Sequence, residues 1–136
     1  MWETKGTPID PQRFAPFEPL RVLNYYDGPR IFTFVDATGS LCLACWSDEG
    51  EKRSRFLVVP VTDSIVDELE AGFRSVREAL DQSPLWVVDL GDDGIVIAAW
   101  SVSPPDVPAD AQPQPGTKLQ RSSETGSSSM VFSLKG

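Results

Sequence analysis

Short turns between β-prone runs are the feature that most constrains the fold of this chain. Four runs rich in β-branched and aromatic residues occupy residues 20–26, 31–36, 41–47 and 55–61. The intervening segments are brief and contain Gly, Pro, Asp and Ser, the residues that tight turns require. Parallel neighbours would need crossovers of about a dozen residues or more, so the spacing predicts an antiparallel meander.

The periodicity becomes helical after residue 61. Apolar residues recur at spacings of three and four, as one stripe of a helix would place them: Ile65, Leu69, Phe73, Val76 and Leu80. Gly72 interrupts this stripe, and Ser75 is followed three residues later by Glu78, the pattern of a capping box. The region is therefore either one broken helix or two short helices, and the break is favoured.

A hairpin follows the helical region. Residues 85–90 and 95–100 are apolar runs, and Gly91-Asp92-Asp93-Gly94 between them is a strong turn signal. Together these elements predict an α+β fold. Its antiparallel sheet would have about five to six strands, a meander plus the C-terminal hairpin, with the helical region packed on one face.

Prolines divide the chain into segments. Residues 1–19 form a Pro-rich N-terminal arm, since proline removes the backbone donors that helices and central strands need. Residues 20–102 form the α+β domain, and residues 103–129 form a flexible Pro/Ser-rich linker. Residues 130–136 form a short β-prone C-terminal peptide, which could pair with an exposed sheet edge of this chain or of another copy.

The net negative charge of the chain is concentrated in its central part, residues 18–102. The net charge is −8, and acidic and basic residues balance in the segments on either side of residues 18–102. An acidic domain repels phosphate backbones, which argues against nucleic-acid binding and suits a basic protein partner. The chain has no apolar run long enough for a membrane span, and its first residues lack the pattern of a secretory signal. We therefore expect a cytoplasmic protein that does not bind a membrane.

The residue types present exclude several catalytic chemistries. The chain contains no histidine, which removes Ser/His/Asp and Cys/His sites and histidine-based metal sites. Cys42 and Cys45 form a CxxC, but residues three apart on a strand point to opposite faces. The acidic turns at 48–51 and 89–93 lack calcium-loop spacing, and the chain contains no phosphate-binding glycine loop. We predict no catalytic, cofactor or metal site, and hence no enzyme.

Aromatic and arginine residues are the candidate contact sites. Strand alternation predicts that Tyr25 and Tyr26 face opposite sides, one in the core and one partly exposed. An exposed Tyr26 beside Asp27 and Arg30 would make a contact patch, although both tyrosines could instead pack across the first hairpin. The other candidate contact residues are two arginines and three residues of the C-terminal peptide: Arg74, Arg77, Val131, Phe132 and Leu134.

The run Leu23 to Arg30, Leu-Asn-Tyr-Tyr-Asp-Gly-Pro-Arg, continues into Ile31-Phe32. This run resembles the opening of an uncharacterised bacterial domain family. The order that follows is also similar, with a strand ending in Val-Pro-Val and a helix that breaks before a Ser-x-x-Glu segment. The resemblance covers about residues 20–90 and implies a compact bacterial α+β domain. It implies no activity and no site residues.

Three functions fit these observations. The first is a non-enzymatic protein-interaction domain, an accessory, regulatory or inhibitor-like component of a bacterial multi-protein system, for example of the antitoxin or immunity type. The second is a small-ligand binder, or an enzyme, with a site built from carboxylates, Tyr and Arg; a deep pocket that gathers such residues would favour it. The third is an acidic decoy of a nucleic-acid-binding protein.

Overall fold

The computed structural model of the protein describes residues 1–116, 119–121 and 130–132. Its main element is an antiparallel sheet of seven strands. The strand order is β1-β7-β6-β5-β4-β3-β2. The strands are β1 (Thr7–Ile9), β2 (Arg21–Tyr25), β3 (Pro29–Val35), β4 (Leu41–Gly50), β5 (Arg53–Pro60), β6 (Leu85–Gly91) and β7 (Val96–Val102). A separate two-stranded hairpin is formed by β8 (Leu119–Arg121) and β9 (Met130–Phe132).

The antiparallel connectivity confirms the predicted meander, but the predicted count of five to six strands was too low. The additional strand is β1, which lies in the segment predicted as an N-terminal arm and pairs with β7. Pro8 sits at the centre of this three-residue strand. Proline is tolerated there because β1 is an edge strand. Because proline argues against a strand, the sequence pattern does not predict β1.

The helical region consists of two helices, α1 (Asp63–Ala71) and α2 (Val76–Leu80), as the favoured alternative predicted. The Thr62 hydroxyl caps α1, and Gly72 ends it with a φ of 79°, a left-handed conformation that glycine adopts without strain. Ser75 and Glu78 form the predicted capping box at the start of α2. No helix in the described ranges combines the length and apolarity that a membrane crossing needs.

The break between the helices leaves the side chain of Phe73 exposed. Its position in the apolar stripe predicted burial, but its side chain is 82% exposed. The left-handed Gly72 ends the helical phase one residue earlier, so Phe73 no longer follows the face that buries Leu69. The prediction for this residue was wrong for that reason.

Both faces of the sheet are covered. On one face, residues such as Leu43, Leu57 and Val87 pack with Leu69 of α1 and Leu80 of α2. The opposite face is aromatic, and its cluster includes Phe14, Phe17, Phe32, Phe34, Phe56 and Trp86. Their rings meet mostly edge to face or tilted, at centroid separations between 4.7 and 6.3 Å. The N-terminal segment is therefore the cover of this second face.

The segment that follows β7 also packs on the domain. Residues 103–129 were predicted as a flexible linker, yet two 3-10 turns, Pro104–Asp106 and Ala109–Ala111, form within the described part of it. Val107, Ala111 and Leu119 are buried in the core on the helix-covered face. Each of these apolar residues is isolated in the sequence, so no hydrophobic periodicity predicts its burial. The hairpin extends the cover, because β8 lies beside α1 and β9 lies beside the edge strand β2.

A buried ion pair joins the central strands. Asp89 on β6 has no exposed surface, and Arg55 on β5 donates to both of its oxygens at 2.7 and 2.8 Å. Arg53 lies 2.7 Å from the same carboxylate. The Arg55 guanidinium also lies between the rings of Trp2 and Trp100, at 4.8 and 5.3 Å from their centroids, and donates to the Trp2 carbonyl.

We expect Asp89→Asn to lower the free energy of unfolding by about 3 kcal/mol, because it leaves the buried Arg55 without a counter-charge. Chemical denaturation followed by tryptophan fluorescence measures this value. The control is Asp92→Asn, since Asp92 is exposed on the same hairpin. The control should change stability by no more than about 0.5 kcal/mol. Equal losses in the two variants would contradict the structural role of Asp89.

Candidate functional site

A cavity of about 450 Å³ lies where the β2–β3 turn and β4 meet residues 110–114. Its apolar lining consists of Ile31, Cys45, Trp46, Ala111 and Pro113. Its polar lining consists of Asn24, Tyr26, Arg30, Ser47, Asp110, Gln112 and Gln114. This size and this mixture of surfaces are typical of small-molecule sites.

Irregularities in the strand pairing place three of the polar residues. Leu23 is an extra residue on β2, since Val22 pairs with Phe32 while Asn24 pairs with Ile31. Arg30 is an extra residue on β3, and Ser47 is an extra residue on β4. A β-bulge turns side chains away from strict alternation. Because of the bulge at Leu23, Asn24 shares the helix-covered face with Ile31 and its β4 partner Cys45.

Asn24 is a buried amide with unused hydrogen-bonding capacity. Its side chain is only 8% exposed, yet it makes no hydrogen bond within the described part of the chain. A carboxamide can donate two hydrogen bonds and accept two. The polar atoms of Asn24 are not among the fully buried unbonded side-chain atoms of the described residues, so they are accessible from the cavity, where a ligand can bond to them.

Arg30 is held in place without a carboxylate partner. Its Nε donates to the Tyr26 carbonyl oxygen at 2.8 Å, and its guanidinium lies 4.6 Å from the centroid of the Trp46 ring. Five other arginines pair with carboxylates, namely Arg13, Arg21, Arg53, Arg55 and Arg74. For Arg30 no such pair forms among the residues that the structure describes. The terminal nitrogens therefore stay available at the cavity.

Residues 110–114 form the wall of the cavity, and Ser47 and Arg77 hold this wall through hydrogen bonds. The Ser47 hydroxyl donates to the Ala111 carbonyl at 2.7 Å and accepts from the Trp2 indole N–H at 3.2 Å. Arg77 donates to the Pro113 carbonyl at 3.3 Å, which fixes the other end of the wall. The Trp2 amide adds a hydrogen bond to Asp48 at 3.1 Å. The bulge residue Ser47 is thus the point at which the sheet, the N-terminal segment and the wall meet.

The two cysteines do not form a redox or metal pair. Cys42 lies in the aromatic core and Cys45 lies in the core on the other face, as strand alternation predicted. Both thiols are buried and free. Burial raises the pKa of each thiol to about 12, and for Cys42 the nearby Asp36 carboxylate adds to the effect. Cys45 therefore lines the cavity as a small apolar group.

One residue from each acidic turn, Asp89 and Asp48, has a structural partner. Asp89, considered above as a cation ligand, is the partner of Arg55 and Arg53. Asp48 accepts the hydrogen bond from Trp2. No group of three metal-ligating side chains gathers among the residues that the structure describes.

The structure separates the predicted contact residues into three places. Tyr26 and Arg30 line the cavity, whereas Asp27 lies in the adjoining turn with a φ of 54° and does not line it. Arg77 supports the cavity wall from behind, and Arg74 pairs with Glu68 at 3.1 Å on the helical side. In the C-terminal peptide, Val131 and Phe132 belong to β9, while Leu134 lies outside the described residues.

The prediction that one of the two adjacent tyrosines is buried was wrong. Tyr25 is 70% exposed and Tyr26 is 74% exposed. Strand β2 is the edge of the sheet and its pairing is irregular up to Tyr25, so strict alternation does not hold there. Tyr26 lies beyond the strand, in the turn.

Sequence reasoning did not find Asn24, Ser47 or Ala111. The one available signal was Asn24 itself, a polar residue of low β-propensity inside a β-prone run. The bulges that orient Asn24 and Ser47 leave no mark in the hydrophobic pattern.

Residues 17–88 match the model of a family of unknown function, DUF6575. The matched range contains Asn24, Arg30 and Ser47, while the wall of the cavity lies beyond it. No curated protein and no solved structure gives a significant match.

Replacing Asn24 should stabilise the protein. We expect Asn24→Leu to raise the free energy of unfolding by about 1 kcal/mol, because an apolar side chain replaces a mostly buried amide that makes no hydrogen bond in the described part of the chain. The measurement is urea denaturation. The control is Asp36→Leu, because Asp36 is also buried but accepts hydrogen bonds from Thr38 and Ser40, which leucine cannot accept. The control should lose stability, and a comparable loss in Asn24→Leu would show that Asn24 is a structural residue.

The thiols should be inert in the folded protein. With the pKa of both thiols at about 12, roughly one thiol in ten thousand is ionised at about pH 8. We therefore expect a disulfide reagent to modify neither cysteine at that pH until denaturant is added, after which both react. The measurement is the absorbance of the released thiolate. Rapid modification of one cysteine in the native protein would contradict this placement.

Proposed function

The chain belongs to DUF6575, a family of unknown function, and we propose that it is a non-enzymatic binding domain that takes up a small ligand in the cavity. The observation that carries the proposal is that one cavity lining holds a mostly buried amide without a hydrogen bond and an arginine without a carboxylate partner, both among the residues that the structure describes. Both groups carry hydrogen-bonding capacity that the described residues do not use. A ligand would satisfy both of them.

The lining favours binding over catalysis. A nucleophilic site needs a nucleophile next to a base, and the thiol of Cys45 is kept protonated by burial. The Ser47 hydroxyl donates to a backbone carbonyl, so its proton is engaged in holding the wall. Asn24 and Arg30 can bind and orient a ligand through hydrogen bonds, and neither side chain transfers a proton at neutral pH.

The test is a fragment titration of the full chain, followed by amide chemical shifts in two-dimensional NMR spectra. We expect binding fragments to shift the signals of residues 24–31, 45–47 and 110–114 together. Asn24→Phe should abolish these shifts by filling the cavity, which has room for the larger side chain. Tyr25→Ser is the control, because Tyr25 is exposed outside the lining, and its titration should match the wild type. Shifts that persist in Asn24→Phe, or that fall elsewhere in the chain, would overturn the proposal.

A protein partner, which the sequence favoured, is the second candidate function. The exposed Phe73 is the observation that supports it, because an apolar patch formed with a second exposed apolar residue marks a contact surface. The Arg21–Glu70 ion pair, at 2.8 Å, places the start of β2 beside the end of α1. Exposed Leu20 therefore adjoins the same region as Phe73. An inhibitor-like or accessory role in a bacterial system would act through this surface, which we call the Phe73 surface (Leu20, Phe73).

Affinity capture with matched variants separates the two functions. A protein that is retained by wild type and by Arg30→Gln but lost by Phe73→Gln would support a partner on the Phe73 surface. Capture that is unchanged in Phe73→Gln would exclude that surface as the contact.

A further inference from the structure

The cavity offers one fixed positive group in a chain of net charge −8. Arg30 is anchored through Nε and by stacking on Trp46, so its two terminal nitrogens keep a defined direction. A guanidinium held in this way presents parallel donors that match a carboxylate in a bidentate arrangement. Among the arginines whose side chains the structure describes, Arg30 and Arg77 have no carboxylate partner, and of these two Arg30 lines the cavity.

The charge of the ligand is limited by Asp110. This exposed carboxylate belongs to the same lining as Arg30, so it opposes the entry of a multiply charged anion. A single carboxylate carries one charge, which Arg30 balances. A phosphate monoester carries more charge and would leave an uncompensated repulsion with Asp110. The cavity therefore favours a monocarboxylate over a phosphate.

The other residues of the lining indicate which groups the rest of the ligand carries. Ile31, Cys45 and Ala111 provide an apolar surface, which an apolar body would cover. Asn24 needs a partner that donates and accepts at once, and an amide does both. The three groups together call for a carboxylate, an amide and an apolar side chain on one small molecule.

We propose that the cavity binds an N-acylated α-amino acid unit with an apolar side chain, its carboxylate on Arg30 and its amide on Asn24. This inference rests on the proposed function, since it names the ligand class of the same cavity. The same chemistry occurs in a free N-acyl amino acid and at the C terminus of a peptide. Arg30 and Asn24 recognise the part that the two sources share.

Four probes test the assignment by NMR titration of the full chain. They are N-acetyl-L-phenylalanine, its neutral carboxamide, 3-phenylpropionate, which lacks the amide, and phenyl phosphate. We expect the carboxamide and 3-phenylpropionate each to bind at least about tenfold more weakly than N-acetyl-L-phenylalanine. Equal affinity of the acid and the carboxamide would overturn the carboxylate assignment, as would stronger binding of phenyl phosphate.

Variants assign each group to its residue. Arg30→Gln should weaken N-acetyl-L-phenylalanine by about tenfold or more and leave its carboxamide unaffected, while Arg30→Lys should restore part of the loss. Asn24→Leu should remove the preference for N-acetyl-L-phenylalanine over 3-phenylpropionate. Arg74→Gln is the matched control, because Arg74 pairs with Glu68 away from the cavity, and its affinities should equal those of the wild type. An equal loss for acid and carboxamide in Arg30→Gln would overturn the role of Arg30.

The source of the ligand follows from a fifth probe, a short peptide with a free C-terminal phenylalanine. Tighter binding of this peptide than of N-acetyl-L-phenylalanine would assign the cavity to a protein C terminus, and tighter binding of the free compound would assign it to a small molecule. Binding of neutral fragments in the cavity without any preference for carboxylates would overturn this inference and leave the proposed function standing. If no probe or fragment at millimolar concentration shifts the cavity residues, both fail.

Discussion

The carboxylate of Asp89 governs how the parts of this domain are joined. A lone charge at that depth would cost several kcal/mol, so β5 has to place Arg55 opposite it, and the two residues are direct partners in the strand register. Arg55 in turn lies between Trp2 and Trp100, which holds the N-terminal segment against the sheet. Trp2 then reaches Ser47 and, through it, the wall of the cavity. The candidate binding site thus depends on an ion pair to which it makes no direct contact.

The regular part of the fold could be predicted from the sequence because its signals are local. The turns between β2 and β5, the hairpin of β6 and β7 and the capping box at Ser75 each depend on neighbouring residues. The elements at the two ends could not be predicted in the same way. Strand β1 contains Pro8, and the buried residues Val107 and Ala111 are single apolar residues among prolines. Their order comes from surfaces that distant parts of the chain provide.

The candidate site was predictable only where composition alone marks a residue. Tyr26 and Arg30 stood out as aromatic and cationic residues next to a turn, and both line the cavity. Asn24 and Ser47 depend on bulges, which shift a side chain to a different face without changing the hydrophobic pattern. The stacking of Arg30 on Trp46 and the bond from Ser47 to Ala111 are contacts between residues far apart in sequence. Spacing rules for one strand or helix contain no information about them.

The bond between Ser47 and Ala111 also sets an order of events during biosynthesis. Asn24, Arg30 and Ser47 leave the ribosome before the wall residues, and the strands that carry them, β2, β3 and β4, can pair before residue 111 has emerged. A chain that ends at residue 102 would carry Asn24, Arg30 and Ser47 but would lack the residues that enclose the cavity. The cavity therefore closes late, after residues 110–114 have emerged. On the proposed function, a bound ligand would report that these last residues have folded onto the sheet.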